Sequence, residues 1–128
     1  RSAPPPTGVQ HAARIARLSI PALSVETTVS QGLDPGPAPV VWPGTPWPGG
    51  PGRSVVAIYG DLSTLRPGHG LTVGTDAWRV ATTQQVAPTD WQVVLTPGLA
   101  PVELALVEAA EFRPTRTVVV AWPERGTA

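Results

Sequence analysis

Seventeen prolines and thirteen glycines among 128 residues constrain this fold more than any other feature of the sequence. Proline lacks an N–H and interrupts both helix interiors and central strand ladders, and glycine weakens each of them. At this density the composition borders on that of disordered chains. The distribution decides otherwise. Both residue types concentrate in Ala3–Gly8, Pro35–Gly52 and around Pro97–Pro101, with apolar and β-branched segments between the clusters. That is the pattern of a β domain with elaborate loops. A length of 128 residues and 41% hydrophobic content suffice for one domain with a modest core.

The amino-terminal run Arg1–His11 (RSAPPPTGVQH) carries three consecutive prolines, which favour polyproline II and stiffen a spacer; a plain disordered terminus fits the same composition. Residues 1–12 are therefore assigned to a Pro-rich stalk and 13–128 to the folded domain. Ala13–Ile20 reads as a strand that stops at Pro21, which has no N–H for a ladder. Ser24–Gln31 is rich in β-branched residues and reads as a second strand. Ser54–Tyr59 (SVVAIY) is a continuous apolar run, as in a strand buried on both faces. Pro67-Gly68 predicts a type II turn. Leu71–Val73, Ala77–Thr82, Gln84–Ala87, Trp91–Leu95, Val102–Val107 and Thr117–Trp122 complete the strand candidates, with Gly74–Asp76 as a hairpin turn and Pro88–Trp91 as a turn or single helical turn. The Ala, Leu and Glu content of Leu99–Ala110 leaves a helix there as an alternative. Seven to eight short strands separated by turn signals predict an all-β, closed or nearly closed barrel.

Several classes of chemistry drop out on composition. Formal charge is zero, so there is no electrostatic case for nucleic acid or an anionic membrane. Cysteine is absent, which removes disulfides, thiolate metal sites and any thiol nucleophile. His11 and His69, with no evident carboxylate cluster, predict no metal, and no cofactor is implied. No apolar run of 18 or more residues occurs, so no membrane span is expected between residues 1 and 128.

The order and wording of these segments resemble the sortase family, bacterial cell-surface transpeptidases built on an eight-stranded β-barrel. Arg17–Pro21 (RLSIP) is similar to the family's opening strand. Pro39–Ser54 (PVVWPGTPWPGGPGRS) resembles the loop of the actinobacterial housekeeping class. Leu65–Val73 (LRPGHGLTV) is similar to Leu-x-x-Gly-Asp-x-Ile-x-Val, with His69 at the usual Asp. Trp78–Leu95 is similar to a strand followed by Val-x-Pro-Thr-Asp and Val-Leu. The matches span residues 14 to 122.

At the positions that carry sortase chemistry the sequence departs from the family. The resemblance places the catalytic His at the end of Val-Ile-Ala-Gly-His, where Val55–Tyr59 (VVAIY) puts Tyr59. It places the catalytic Cys at the end of Leu-Thr-Leu-x-Thr-Cys, where Leu104–Ala109 (LALVEA) puts Glu108 at the Thr and Ala109 at the Cys. Arg116 fits the family's Arg at the opening of the final strand, with Arg113 as a substitute. A methyl group cannot attack a carbonyl, and a phenol with a pKa near 10 is a poor stand-in for imidazole. The expectation is a non-enzyme: a degenerate sortase-like domain, membrane-anchored outside the cytoplasmic membrane by an N-terminal segment not in this sequence. It would act as a peptide- or protein-binding or scaffolding module at the cell envelope, its partner a peptide segment or an envelope protein. A purely structural docking domain, with Tyr59 filling the groove, and an active sortase studied as an inactivated mutant are the alternatives. Tyr59, Glu108, Ala109 and Arg116 would line the vestigial groove, with Glu108 either pairing with Arg116 or lying on the surface. Trp42 and Trp47 are the candidate binding surface; Trp78 and Trp122, in strands, are expected in the core.

Overall fold

The computed structural model describes residues 14–31, 39–42, 44–96, 98, 100–108 and 114–124. The Pro-rich stalk, His11, Ala109 and Arg113 lie outside them. The chain forms β1 (Arg14–Ile20), a 3-10 turn (Pro21–Leu23), β2 (Val25–Gln31), β3 (Val40–Val41), β4 (Gly52–Ile58), β5 (Gly70–Val73), β6 (Asp76–Val86), a short helix α1 (Trp91–Leu95), β7 (Val102–Glu108) and β8 (Arg116–Pro123). The strands close into one barrel in the order β1-β2-β3-β4-β7-β8-β6-β5. β2–β3 and β4–β7 pair in parallel and the other neighbours are antiparallel. Among the described residues no helix is long and apolar enough to cross a membrane.

Local chemistry explains the boundaries. β1 ends at Ile20 because Pro21 begins the 3-10 turn, which closes with Ser24 N–H donating to Pro21 C=O at 3.0 Å. Gly68 has φ +99°, and His69 N–H donates to Arg66 C=O at 3.1 Å, so Pro67-Gly68 forms the type II turn its sequence predicts. Two expected strands, at 77–82 and 84–87, are one strand with a register shift between Val80 and Thr82. An extra residue there bends β6 around the barrel without ending it.

Alternation along the strands separates two apolar layers. Inward residues, among them Leu18, Ile20, Val29, Val56, Ile58, Leu104, Leu106, Val119 and Ala121, fill the interior with Trp78 at 1% exposure. Leu62 and Leu65, from the loop after β4, join this core. Outward residues Val55, Ala105, Val107, Val118 and Val120 form a second cluster with Val86 and with Val94 of α1. β4 and β7 are therefore buried on both faces, which is why their sequences run apolar without alternation.

Segment 91–95 is a helix, which corrects the expected strand. Asp90 caps it, its carboxylate accepting from Val93 N–H at 3.4 Å, and Val94 turns inward onto the outer face of the barrel. Residues 102–108 are a strand, not part of a helix, because the run Val102–Glu108 pairs with both β4 and β8. Trp122 is a second correction. It sits at the outward end of β8, 47% exposed, and not in the core, since the outward parity that buries Val118 and Val120 carries it past the edge of α1's cover.

Candidate functional site

β4 and β7 run side by side in parallel and finish together, with Ile58 paired to Glu108. β8 begins beside them at Arg116. Three strand ends thus converge on one end of the barrel. Glu108 holds them there. Its side chain points inward, 1% exposed, and accepts from Leu62 N–H at 2.7 Å and Thr117 N–H at 2.9 Å. One carboxylate satisfies a donor in the loop after β4 and another at the start of β8, groups that would otherwise be buried without partners.

Tyr59 follows Ile58 with the opposite parity and is 56% exposed. It stands on the rim of a cleft of about 360 Å³ whose apolar wall comes from Ile20, Leu23, Val25, Pro39, Ile58 and Leu62. The 3-10 turn at Pro21–Leu23 contributes Leu23 to the wall of this cleft.

Arg116 shares the outward parity of Val118 and Val120. Its guanidinium carbon lies 4.7 Å from the Trp91 ring centroid, within cation–π range. Trp91 in turn stacks on Trp42, centroids 4.5 Å apart and planes 25° from parallel. This three-membered stack, with Val94, covers the outer face of β4, β7 and β8. α1 is pinned in place by Arg53, whose Nη1 donates to Val94 C=O at 3.0 Å and to Val93 C=O at 3.4 Å. Arg53 Nε also donates to Glu103 Oε1 at 3.0 Å, both side chains being nearly enclosed. Glu103 further accepts from Gly98 N–H and from the Trp122 indole N–H.

Solved structures with this architecture belong to one fold. A sortase C1 from Streptococcus suis superposes with a TM-score of 0.75 at 16% identity, over 91% of this chain and 75% of its own. A Clostridium perfringens sortase D5 transpeptidase gives 0.74 at 18% identity, over 86% and 78%. Listeria monocytogenes sortase A gives 0.73 at 14% identity, over 88% of each chain. This chain has the sortase fold. No family model matches the sequence, and no curated protein matches it either.

Within that sortase fold the expected groove residues divide. Tyr59 and Arg116 share the outward parity of the strand ends, whereas Glu108 faces the interior and is neither on the surface nor turned toward the stacked Arg116. Tyr59 is half exposed and stands on the rim of the cleft. Trp42 and Trp47 do not form one surface. Trp42 packs on the outer cluster and Trp47 against the interior core. The sequence reading missed Trp91 and the Arg53–Glu103 pair. Asp90 before an apolar run was the available signal for the helix that carries Trp91; nothing local signals a pair separated by 50 positions. Among the described residues no group of three His, Asp or Glu side chains is close enough to hold a metal ion.

Proposed function

We propose that this sortase-fold domain is catalytically inactive and acts outside the cytoplasmic membrane as a binding module for a peptide or protein segment. The observation that carries the reading is the complete lack of cysteine in a chain that keeps the sortase barrel. The solved relatives include a transpeptidase by name, and sortase transpeptidation needs a thiolate to form the acyl intermediate. Without it the fold retains only what geometry offers: a half-exposed tyrosine beside an apolar cleft where β4 and β7 end. An apolar cleft with a few polar groups at its rim suits an extended segment with one buried aliphatic side chain. The sortase-fold neighbours support placing it at the cell envelope.

A second reading, a docking domain with no peptide ligand, is favoured by the tryptophan cover over the outer face of β4, β7 and β8. An NMR titration of the isotope-labelled domain with LPxTG- and LAxTG-type peptides separates the two. Saturable shifts clustered on Tyr59, Gly60 and Leu62 are expected. No shift at millimolar peptide would sink the peptide-binding reading and leave the docking domain.

A further inference from the structure

We propose that Arg116 is the anchor of a carboxylate-binding site, so that the segment this domain recognises carries a free acid; this rests on the peptide-binding reading above. Arg116 is 8% exposed, and its Nε is enclosed with no hydrogen-bond partner. A guanidinium stays charged at every accessible pH, so burial cannot be relieved by losing a proton. The ion pairs among the described residues join Arg17 to Glu26, Arg53 to Glu103 and Arg79 to Glu124. Arg116 belongs to none of them.

The two buried carboxylates of the barrel wall are committed elsewhere, Glu103 to Arg53 and Glu108 to the backbone of Leu62 and Thr117. What Arg116 does have is the face of Trp91, held by Trp42 behind it. An aromatic face fixes the plane of a guanidinium and leaves its edge, where the N–H groups point, for an acceptor in that plane. A carboxylate matches that edge with two parallel hydrogen bonds and cancels the charge. A neutral peptide carbonyl can accept a hydrogen bond but leaves the buried charge uncompensated. The carboxylate can come from a chain terminus or from an acidic side chain.

The test follows the Arg116 Nε–H and Trp91 indole N–H signals of the full chain by NMR. Three probes are compared: N-acetyl-Ala-Ala with a free carboxylate, the same dipeptide amidated, and amidated N-acetyl-Glu-Ala. At least one acid probe is expected to shift both signals and to bind ten-fold or more tightly than the neutral amide. A response to the first acid identifies a chain terminus as the source, and a response to the second identifies a side chain. Arg116→Lys should keep part of the preference and Arg116→Gln should erase it; the wild-type comparison needs neither variant to fold. Equal binding of acid and amide, or shifts confined to other residues, overturns the proposal. Sorting peptides that shift Tyr59 with no acid preference would uphold the peptide-binding reading while removing this one; acid-dependent shifts at Arg116 with Tyr59 silent would do the reverse.

Discussion

Glu103 is buried, which by itself raises a carboxyl pKa. The Gly98 N–H, the Arg53 guanidinium and the Trp122 indole outweigh that burial and bring Glu103 below the ordinary glutamate value. A carboxylate with a depressed folded pKa stabilises the fold above its unfolded pKa, and that contribution is lost as pH falls through the folded value. Urea unfolding should therefore give constant stability from neutral pH to about 5 and a decline below about 4.5, where unfolded glutamate takes up its proton. Glu103→Gln should flatten that decline. Arg53→Ala, which strands the enclosed carboxylate, should cost about 3 kcal/mol by the same measurement. Gly98 belongs to this cluster for steric reasons. A Cβ there would meet Glu103 Oε2 at 2.6 Å, so Gly98→Ala should cost roughly 1–3 kcal/mol in the same titration by forcing the carboxylate off Arg53. Arg53 and Trp122 lie far from Glu103 in sequence, and single-residue chemistry could mark Glu103 only as one more polar position in an apolar run.

At the scale of elements, α1 shows where sequence reasoning stops. Trp91–Leu95 contains two valines and a leucine, and β-branched content argued for a strand. What prevails is tertiary: Asp90 caps the first turn, and Arg53 from β4 captures the carbonyls at its other end. By contrast β4, β7 and β8 were legible because strands buried on both faces write themselves as unbroken apolar runs. The parity that separates Tyr59 from Glu108 follows from strand geometry once the strand ends are known. The tryptophan stack does not, because Trp42, just after β3, and Trp91, at the start of α1, lie far apart in the sequence. Trp91→Ala should remove both ring contacts and uncover Val55, Ala105 and Val107. It should cost roughly 2–3 kcal/mol in chemical denaturation, less than a fully buried tryptophan, and should increase binding of a dye specific for exposed apolar surface. Unchanged stability would mean that the cover is not fastened by this stack.

For the whole molecule, the closed β-barrel was legible from segment order, although β3 was not anticipated and 91–95 is a helix; the inactivity proposed above rests on residue identity alone. The cleft and the cover were not, since they depend on how segments far apart in the sequence meet, as Trp42 does with Trp91 and Leu23 with Tyr59 around one cleft. The wild-type domain is expected to show no transpeptidation of a sorting peptide. Ala109→Cys alone should remain inactive, because a new thiol at that position of the sequence has no histidine at position 59 to ionise it and protonate the leaving amine. Product formation by that single variant in a mass-spectrometric ligation assay would overturn the inactive-module reading.

The barrel is closed, but unevenly. β4, β7, β8 and β6 are joined by long ladders, whereas among the described residues β1 pairs with β5 at Leu18–Val73 and Ser19–Thr72, and β2 with β3 at Ser30–Val40. The β1–β2 hairpin is thus a stave fastened well within itself and lightly at both edges. Local opening is cheapest where few hydrogen bonds must break together. Amide protons at those two edges should exchange with solvent faster than those of β7, and should do so as a group. Ile20, Leu23, Val25 and Thr27 of the hairpin also line the Tyr59 cleft. The same breathing that loosens the stave would widen or narrow the cleft, so an occupant gripping both the hairpin and the end of β4 would slow exchange across the whole β1–β2 hairpin.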